Sequence, residues 1–173
     1  MEMAILDFIQ KFSNPFFDWF FKVYTTLGNH GEIWIVILVL LLIKKETRKI
    51  ALFAVAALLI EYVSVEYIIK PLIERPRPFI VNDTIQLIIP KPSGYSFPSG
   101  HSASSFAVGY FLYLNNLKYK KTYLVLASLM AFSRLYVYVH YPTDVIVGVL
   151  LGIAIAYGMY FIYKKSNKSG GKI

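Results

Sequence analysis

Three short polar segments interrupt an otherwise hydrophobic chain, and they hold the residues best suited to chemistry. The segments are residues 70–78, 98–101 and 133–144. The residues in them that suit this chemistry are three cations, two imidazoles and one carboxylate: Lys70, Arg77, Arg134, His101, His140 and Asp144. Cations beside imidazoles are what binding an anion and attacking it would require, so these segments predict a phosphate-handling site.

The three cations predict a clamp for a phosphoryl group. Such a group carries its negative charge on oxygen atoms, and lysine meets it as a point charge while arginine offers paired hydrogen bonds. Lys70, Arg77 and Arg134 are therefore expected to bind the phosphate oxygens.

The second segment predicts an anion-binding helix start. Ser99 and Gly100 precede a helix-forming run over residues 102–114. The first N–H groups of a helix are free, and they lie at its positive end, so an anion binds there readily. The Ser99 hydroxyl is expected to add one more contact to the phosphate.

The histidines have separable roles. His140 lies four residues before Asp144, and Pro142 suits the first turn of a helix, so the carboxylate can reach back to the imidazole. Asp144 is then expected to orient His140, whose other nitrogen becomes the nucleophile. His101 remains free to protonate the leaving oxygen.

Each residue taken alone has an ordinary explanation. A single histidine is usually structural, a Pro-Ser-Gly run is usually a turn, and an arginine near a membrane often reaches toward lipid headgroups. Ionisable groups among hydrophobic spans are nevertheless costly, and here they all suit one reaction. The combination favours a catalytic site.

The pattern Lys-x6-Arg-Pro, Pro-Ser-Gly-His, Ser-Arg-x5-His-x3-Asp resembles the three-part signature of the type 2 phosphatidic acid phosphatases. These are relatives of bacterial acid phosphatases and vanadium haloperoxidases, and the chain is most similar to compact bacterial members such as lipid A 1-phosphatases. The resemblance implies metal-independent hydrolysis through a phosphohistidine, with no cofactor. It also implies that five residues surround the phosphate: Lys70, Arg77, Ser99, Gly100 and Arg134.

The composition predicts a single membrane domain over residues 1–173. The sequence is 57% hydrophobic, its mean hydropathy is +0.54, and it contains no cysteine. A net charge of +8 would suit nucleic acid, but a soluble basic domain would not carry such long apolar runs. No nucleic-acid partner is expected, and the oligomeric state is left open, with a monomer plausible.

The expected fold is an all-α integral membrane bundle of five transmembrane helices. The spans are predicted at residues 31–43, 50–69, 100–115, 123–137 and 143–163. The second is expected to end near Lys70, because Pro71 disfavours helical geometry in the residue before it. Glu66, four residues earlier, is expected to pair with Lys70.

Residues 1–30 allow two interpretations. Two amphipathic helices, over residues 3–12 and 15–27, would lie in the membrane interface, with Asp7 and Asp18 each four residues before a lysine. Alternatively, the segment forms one broken spanning helix, which would make six spans. The apolar loop over residues 79–97 is expected either to cover a lipid substrate or to pack over helix ends.

The distribution of basic residues predicts the orientation. Of 18 Lys and Arg residues, 11 fall in the 44–49 turn, the 118–121 turn and the C-terminal tail, all on one side if the spans alternate. Positive loops favour the cytoplasm. The protein is therefore expected in the cytoplasmic (inner) membrane with its active site facing the extracytoplasmic side.

The predicted reaction is hydrolysis of a phosphate monoester or diphosphate on a membrane lipid. Phosphatidic acid, phosphatidylglycerophosphate, undecaprenyl diphosphate and lipid A 1-phosphate all remain open as substrates. Two alternatives are a vanadate-dependent haloperoxidase and a non-catalytic protein that binds or transports lipid. The small size and spanning helices argue against the first, and the intact histidine pair argues against the second.

Overall fold

A computed structural model describes residues 1–169, and that part of the chain is entirely helical, without a β-strand. Its helices are α1 (Glu2–Gln10), α2 (Pro15–Thr26), α3 (Glu32–Ile43), α4 (Lys45–Tyr62), α5 (Lys70–Ile73), α6 (Pro78–Val81), α7 (Gly100–Leu114), α8 (Lys120–Tyr136) and α9 (Pro142–Ser169). A 3₁₀ turn spans Asn29–Gly31. Lys172 of the basic tail lies outside the described residues.

Helix α7 is the central element, packing against α4, α8 and α9. Two glycines of α9 allow the close approach: a Cβ at Gly148 would lie 2.6 Å from the Ser99 carbonyl oxygen, and one at Gly152 would lie 2.4 Å from that of Ala103. No side chain fits in that space. Small residues at this spacing therefore serve packing within the bundle, and α7 and α9 hold the second and third polar segments together.

Two helical segments of the described chain are long and apolar enough to cross a bilayer, Lys45–Val81 and Pro142–Lys168. Helix α3 is apolar but has only 12 residues. Large apolar side chains remain exposed on both long segments, among them Leu52, Leu59, Leu150 and Phe161. Such surfaces suit contact with lipid rather than water.

The second span ends near Lys70, at Ile73, but Pro71 is not what stops it. Helix α4 continues through a π-helical segment, Val63–Ile69, into α5, and the chain turns only at Glu74, where φ is +51°. A proline in a regular α-helix clashes with the carbonyl four residues earlier, and the wider π-helical turn relieves that clash before Pro71. Lys70 therefore lies within a continuous helical segment.

Residues 1–30 form two separate helices, as the sequence predicted. Pro15 begins α2, and the Asn14 side chain accepts hydrogen bonds from the N–H groups of Phe16 and Phe17, at 3.1 and 3.0 Å. This cap explains the break between the helices. Helix α1 buries Leu6 completely, and both helices pack on α8.

Candidate active site

A cavity of about 880 Å³ brings the three polar segments together. Six of the eight predicted site residues line it: Lys70, Arg77, Gly100, His101, Arg134 and His140. The other two, Ser99 and Asp144, are fully buried beside it.

Two hydrogen bonds define the state of His140, which is 2% exposed. Its Nδ1 lies 2.7 Å from the carbonyl oxygen of Ser96, and its Nε2 lies 3.2 Å from Nη1 of Arg77. A carbonyl can only accept and a guanidinium can only donate, so Nδ1 carries the proton and Nε2 presents its lone pair. Burial, together with the charges of Arg77, Arg134 and Lys70, holds the pKa of His140 well below its usual range. The ring is therefore a neutral imidazole whose Nε2 lone pair accepts from Arg77.

Asp144 does not make the predicted hydrogen bond to His140. Its Oδ2 lies 3.6 Å from Nδ1 of the imidazole and accepts instead from the N–H of Tyr141, at 2.9 Å. Its Oδ1 accepts from Nη1 of Arg75 at 2.6 Å. The carboxylate thus binds the start of α9 and Arg75. The Ser96 carbonyl, rather than Asp144, orients the imidazole. Asp144 remains close enough to stabilise a positively charged ring.

Arg75 is a site residue that the sequence analysis missed. Besides Asp144, it binds Oε2 of Glu2 at 2.6 Å, and its guanidinium lies 3.9 Å from the centre of the Tyr141 ring. A second arginine two residues before Arg77 was a visible signal. Its partners were not, because Glu2 and Asp144 lie 73 and 69 residues away in the sequence.

Arg134 is 3% exposed and lines the cavity. Its Nη1 donates to the hydroxyl oxygen of Thr25. Its Nε is buried and has no hydrogen-bond partner among the described residues. A buried donor without a partner is costly, so this nitrogen is available to a bound anion.

Arg77 has more protein partners than a simple phosphate clamp would. Its Nε donates to the Gly94 carbonyl at 3.0 Å, its Nη2 to that of Ser93 at 3.0 Å, and its Nη1 to that of Val139 at 3.1 Å. Arg77 therefore holds the loop before α7 against the segment between α8 and α9, which carries His140. Its charge still lies beside Nε2 of His140.

Lys70 forms the expected ion pair with Glu66. Gly100 leaves room for that pair, because a Cβ there would lie 3.1 Å from Oε1 of Glu66. Glu61, which is 3% exposed, also lines the cavity.

Ser99 caps the helix that leads away from the cavity. It is the N-cap of α7, and its Oγ accepts from the N–H of Ser102 at 3.4 Å and lies 2.9 Å from that residue's hydroxyl. In the cap the Ser99 oxygen accepts, so its own O–H remains as a donor, and its contact with phosphate stays a prediction. Gly100 and His101 are the residues that bring the start of α7 to the cavity.

The loop over residues 79–97 packs over helix ends and also borders the cavity. Leu87, Ile88 and Ile89 pack against the cluster that contains Tyr136 and Val139. The stretch from Ile89 to Ser93 lines the cavity. Within residues 1–169, no group of three or more His, Cys, Asp and Glu side chains comes together as a metal site.

The fold and the site define a helical membrane protein with a cavity lined by cations and by two histidines. The chain belongs to the PAP2 superfamily, whose family model matches residues 48–168. This confirms the family inferred from the three polar segments.

Several relatives are phosphatases of lipids by name. An undecaprenyl-diphosphatase from Sulfolobus acidocaldarius is 39% identical over 134 residues, which cover 76% of this chain and 65% of that protein. The chain thus spans slightly less than two thirds of that relative. A lipid A 4'-phosphatase from Bacteroides thetaiotaomicron is 28% identical over 95% of this chain and 78% of its own length.

Solved structures agree on the fold. The crystal structure of Aquifex aeolicus LpxE matches with a TM-score of 0.79 and 28% identity, covering 91% of this chain and 93% of the other. A transmembrane PAP2-type phosphatidylglycerolphosphate phosphatase from Bacillus subtilis matches with a TM-score of 0.75. The match covers 97% of this chain and 85% of the other. At 24% identity, that second match concerns the fold alone.

Proposed function

We propose that the protein is a lipid phosphate phosphatase that works through a phosphohistidine at His140. The observation that carries the proposal is the neutral imidazole, with Nε2 as its lone-pair nitrogen, inside a cavity lined by Lys70, Arg77 and Arg134. A buried anion site without a nucleophile would only bind phosphate. With a nucleophile in place, the same site can carry out phosphoryl transfer.

The reaction proceeds in two steps. The phosphate oxygens bind Lys70 and the free Nε of Arg134, and Nε2 of His140 attacks phosphorus. The bond to the leaving oxygen breaks, and His101 gives that oxygen its proton. Water, deprotonated by His101, then attacks the phosphohistidine, which releases inorganic phosphate and restores both histidines. Asp144 stabilises the cationic ring of His140 throughout.

The cations take the role that a metal has in other phosphatases. The charge on the transferring group is met by Lys70, Arg77 and Arg134, so the proposed reaction requires neither a divalent metal nor a cofactor.

An apolar wall beside the phosphate end of the cavity supports a lipid substrate. Ile35, Leu58, Leu59 and Tyr62 line this wall. A free sugar phosphate or nucleotide would gain nothing from it, whereas an acyl or isoprenoid chain would bury apolar surface there. The proposed substrate is thus a monophosphate or diphosphate carried on a lipid.

The proposed topology is a single domain with five spans, α3, α4, α7, α8 and α9, and with α1 and α2 in the interface. Its basic end faces the cytoplasm and its active site the extracytoplasmic side of the cytoplasmic membrane. One contact supports placing the 44–49 turn and the basic end of α9 on the same side of the membrane: Nζ of Lys49 donates to Oδ1 of Asn167 at 2.6 Å.

Phosphate release from purified protein tests the function. The substrates are undecaprenyl diphosphate, lipid A, phosphatidylglycerophosphate and phosphatidic acid in mixed micelles, and His140→Ala is the control. We expect release from at least one lipid by the wild-type protein and none by the variant. Binding of all four without release would support a lipid-binding protein, and halogenation with vanadate and peroxide would support a haloperoxidase.

A further inference from the structure

The chain around the end of α2 lies against two residues of the active site. It contributes Thr25, Gly28 and Asn29, which are outside the three polar segments, and all three line the cavity. Thr25 is 1% exposed and contacts Arg134. Asn29 contacts His101, its Oδ1 lying 3.2 Å from Nε2 of the imidazole.

The Thr25 contact determines which edge of Arg134 is available. A guanidinium offers paired donors along its Nε–Nη2 edge, and Nη1 lies on the other side of the group. The Thr25 hydroxyl accepts from Nη1, while Nε has no partner among the residues described. The Ser133 hydroxyl also lies 3.3 Å from Thr25 Oγ1, which holds the threonine in place. The Nε donor of that edge thus has no protein partner to compete with a ligand, among the residues described.

The Asn29 contact fixes the position of the His101 ring. Gly28 lets the ring lie directly against the backbone, because a Cβ there would be 2.7 Å from Cδ2 of the imidazole. The ring is therefore held by a hydrogen bond at Nε2 and by contact at Cδ2. A proton donor must stay within reach of the leaving oxygen, so a fixed ring matters to its function.

We propose that Thr25 and Asn29 are positioning residues of the active site: Thr25 aligns Arg134 for phosphate, and Asn29 aligns His101 for the leaving group. The inference rests on the proposed phosphatase function. The two residues act through different partners, so their loss has different kinetic consequences.

The Asn29 test compares leaving groups. Asn29→Ala should lower kcat about 10-fold on a lipid phosphate, whose alkoxide leaving group needs a proton, and much less on an activated aryl phosphate. Asn29→Asp keeps an acceptor oxygen and should restore most of the lipid activity. Equal losses of Asn29→Ala on both substrates would refute a role through His101.

The Thr25 test measures anion affinity. Thr25→Val removes the hydroxyl at nearly constant volume, and we expect the Ki of orthovanadate, a phosphate analogue, to rise about 10-fold, the effect of losing one well-aligned hydrogen bond to a charged group. Thr25→Ser should restore the wild-type Ki. An unchanged Ki in Thr25→Val, or an equal rise in both variants, would overturn the assignment.

A control separates these outcomes from general failure. Asn167→Ala lies in the basic end of α9 and should match the wild type in every assay. Each variant is checked for elution volume and melting temperature in the same detergent. If the wild type and Asn167→Ala release no phosphate from either substrate, the proposed function fails. If they are active and the predicted patterns are absent, only the positioning roles fail.

Discussion

Replacing Asp144 by asparagine tests what the carboxylate contributes to His140. In a serine-protease triad the aspartate holds the histidine tautomer, and its amide variant loses about 10⁴-fold in rate. Here the Ser96 carbonyl holds the Nδ1 proton at 2.7 Å, so the tautomer does not depend on Asp144. Asp144→Asn should therefore lose only the electrostatic stabilisation of the cationic ring.

The expected loss follows from two distances. Unit charges 3.6 Å apart, as Oδ2 of Asp144 and Nδ1 of His140 are, attract by about 4–5 kcal/mol at an effective dielectric constant of about 20. Arg75, paired with the same carboxylate at 2.6 Å, is present in both proteins and does not reduce the loss, but only part of the ring's positive charge has developed in the transition state. We expect a net loss of about 2 kcal/mol, or roughly 30-fold in the rate of phosphoenzyme formation.

The assay is rapid-quench trapping of acid-labile phosphoprotein from radiolabelled substrate in a single turnover. A second variant, Asp144→Asn combined with Arg75→Gln, should recover part of the rate, because it removes a cation near His140 that has lost its Asp144 partner and keeps Glu2. A loss near 10⁴-fold with no recovery in the double variant would refute this reasoning and assign the tautomer to Asp144.

Four further predictions follow from the proposed site and topology. His140→Ala should abolish phosphoprotein and turnover, whereas His101→Ala should retain partial activity on an aryl phosphate; phosphoprotein that persists in His140→Ala would reverse the roles. In ¹⁵N-histidine NMR of detergent-solubilised protein, His140 should be the Nδ1–H tautomer and stay neutral below pH 6.5, because its pKa is lowered by burial and by Arg77, Arg134 and Lys70; protonation at an ordinary histidine pH would contradict the site electrostatics. A cysteine at Gln86 should react with an impermeant reagent outside intact cells and one at Lys120 should not; the opposite pattern would invert the topology. Activity should survive chelator, and strict dependence on added magnesium or zinc would contradict the metal-independent mechanism.

The three polar segments were identifiable because their chemistry depends on residue type and order. The bundle then brings them to one cavity, and Gly148 and Gly152 leave the space in which α9 packs closely on α7. The all-helical fold followed from the apolar runs.

Hydrogen bonds to the backbone were not predictable in the same way. The carbonyl that orients His140 belongs to Ser96, in an irregular loop, and a backbone acceptor has no signature in residue type. The Asp144 carboxylate was assigned to His140 because four-residue spacing permits that contact. Sequence spacing shows which contacts are possible, but not which of several donors forms the hydrogen bond. Here the carboxylate accepts from Arg75 and from the Tyr141 N–H.

The N-terminal helices show why local spacing was insufficient for the rest of the site. Asp7 and Asp18 each precede a lysine by four residues, which predicted pairs along the surface of each helix. Asp7 instead accepts from the Tyr138 hydroxyl and Asp18 from the Tyr136 hydroxyl, both at 2.6 Å. An exposed helical ion pair contributes only about 0.3–0.5 kcal/mol, so a better-buried tyrosine partner readily displaces it. Glu2 accepts from the N–H and the hydroxyl of Thr143, at 3.1 and 2.6 Å, so three acidic side chains hold α1 and α2 against the segment that carries His140. An interfacial role alone does not explain these contacts, and they connect residues 1–30 to the position of the nucleophile.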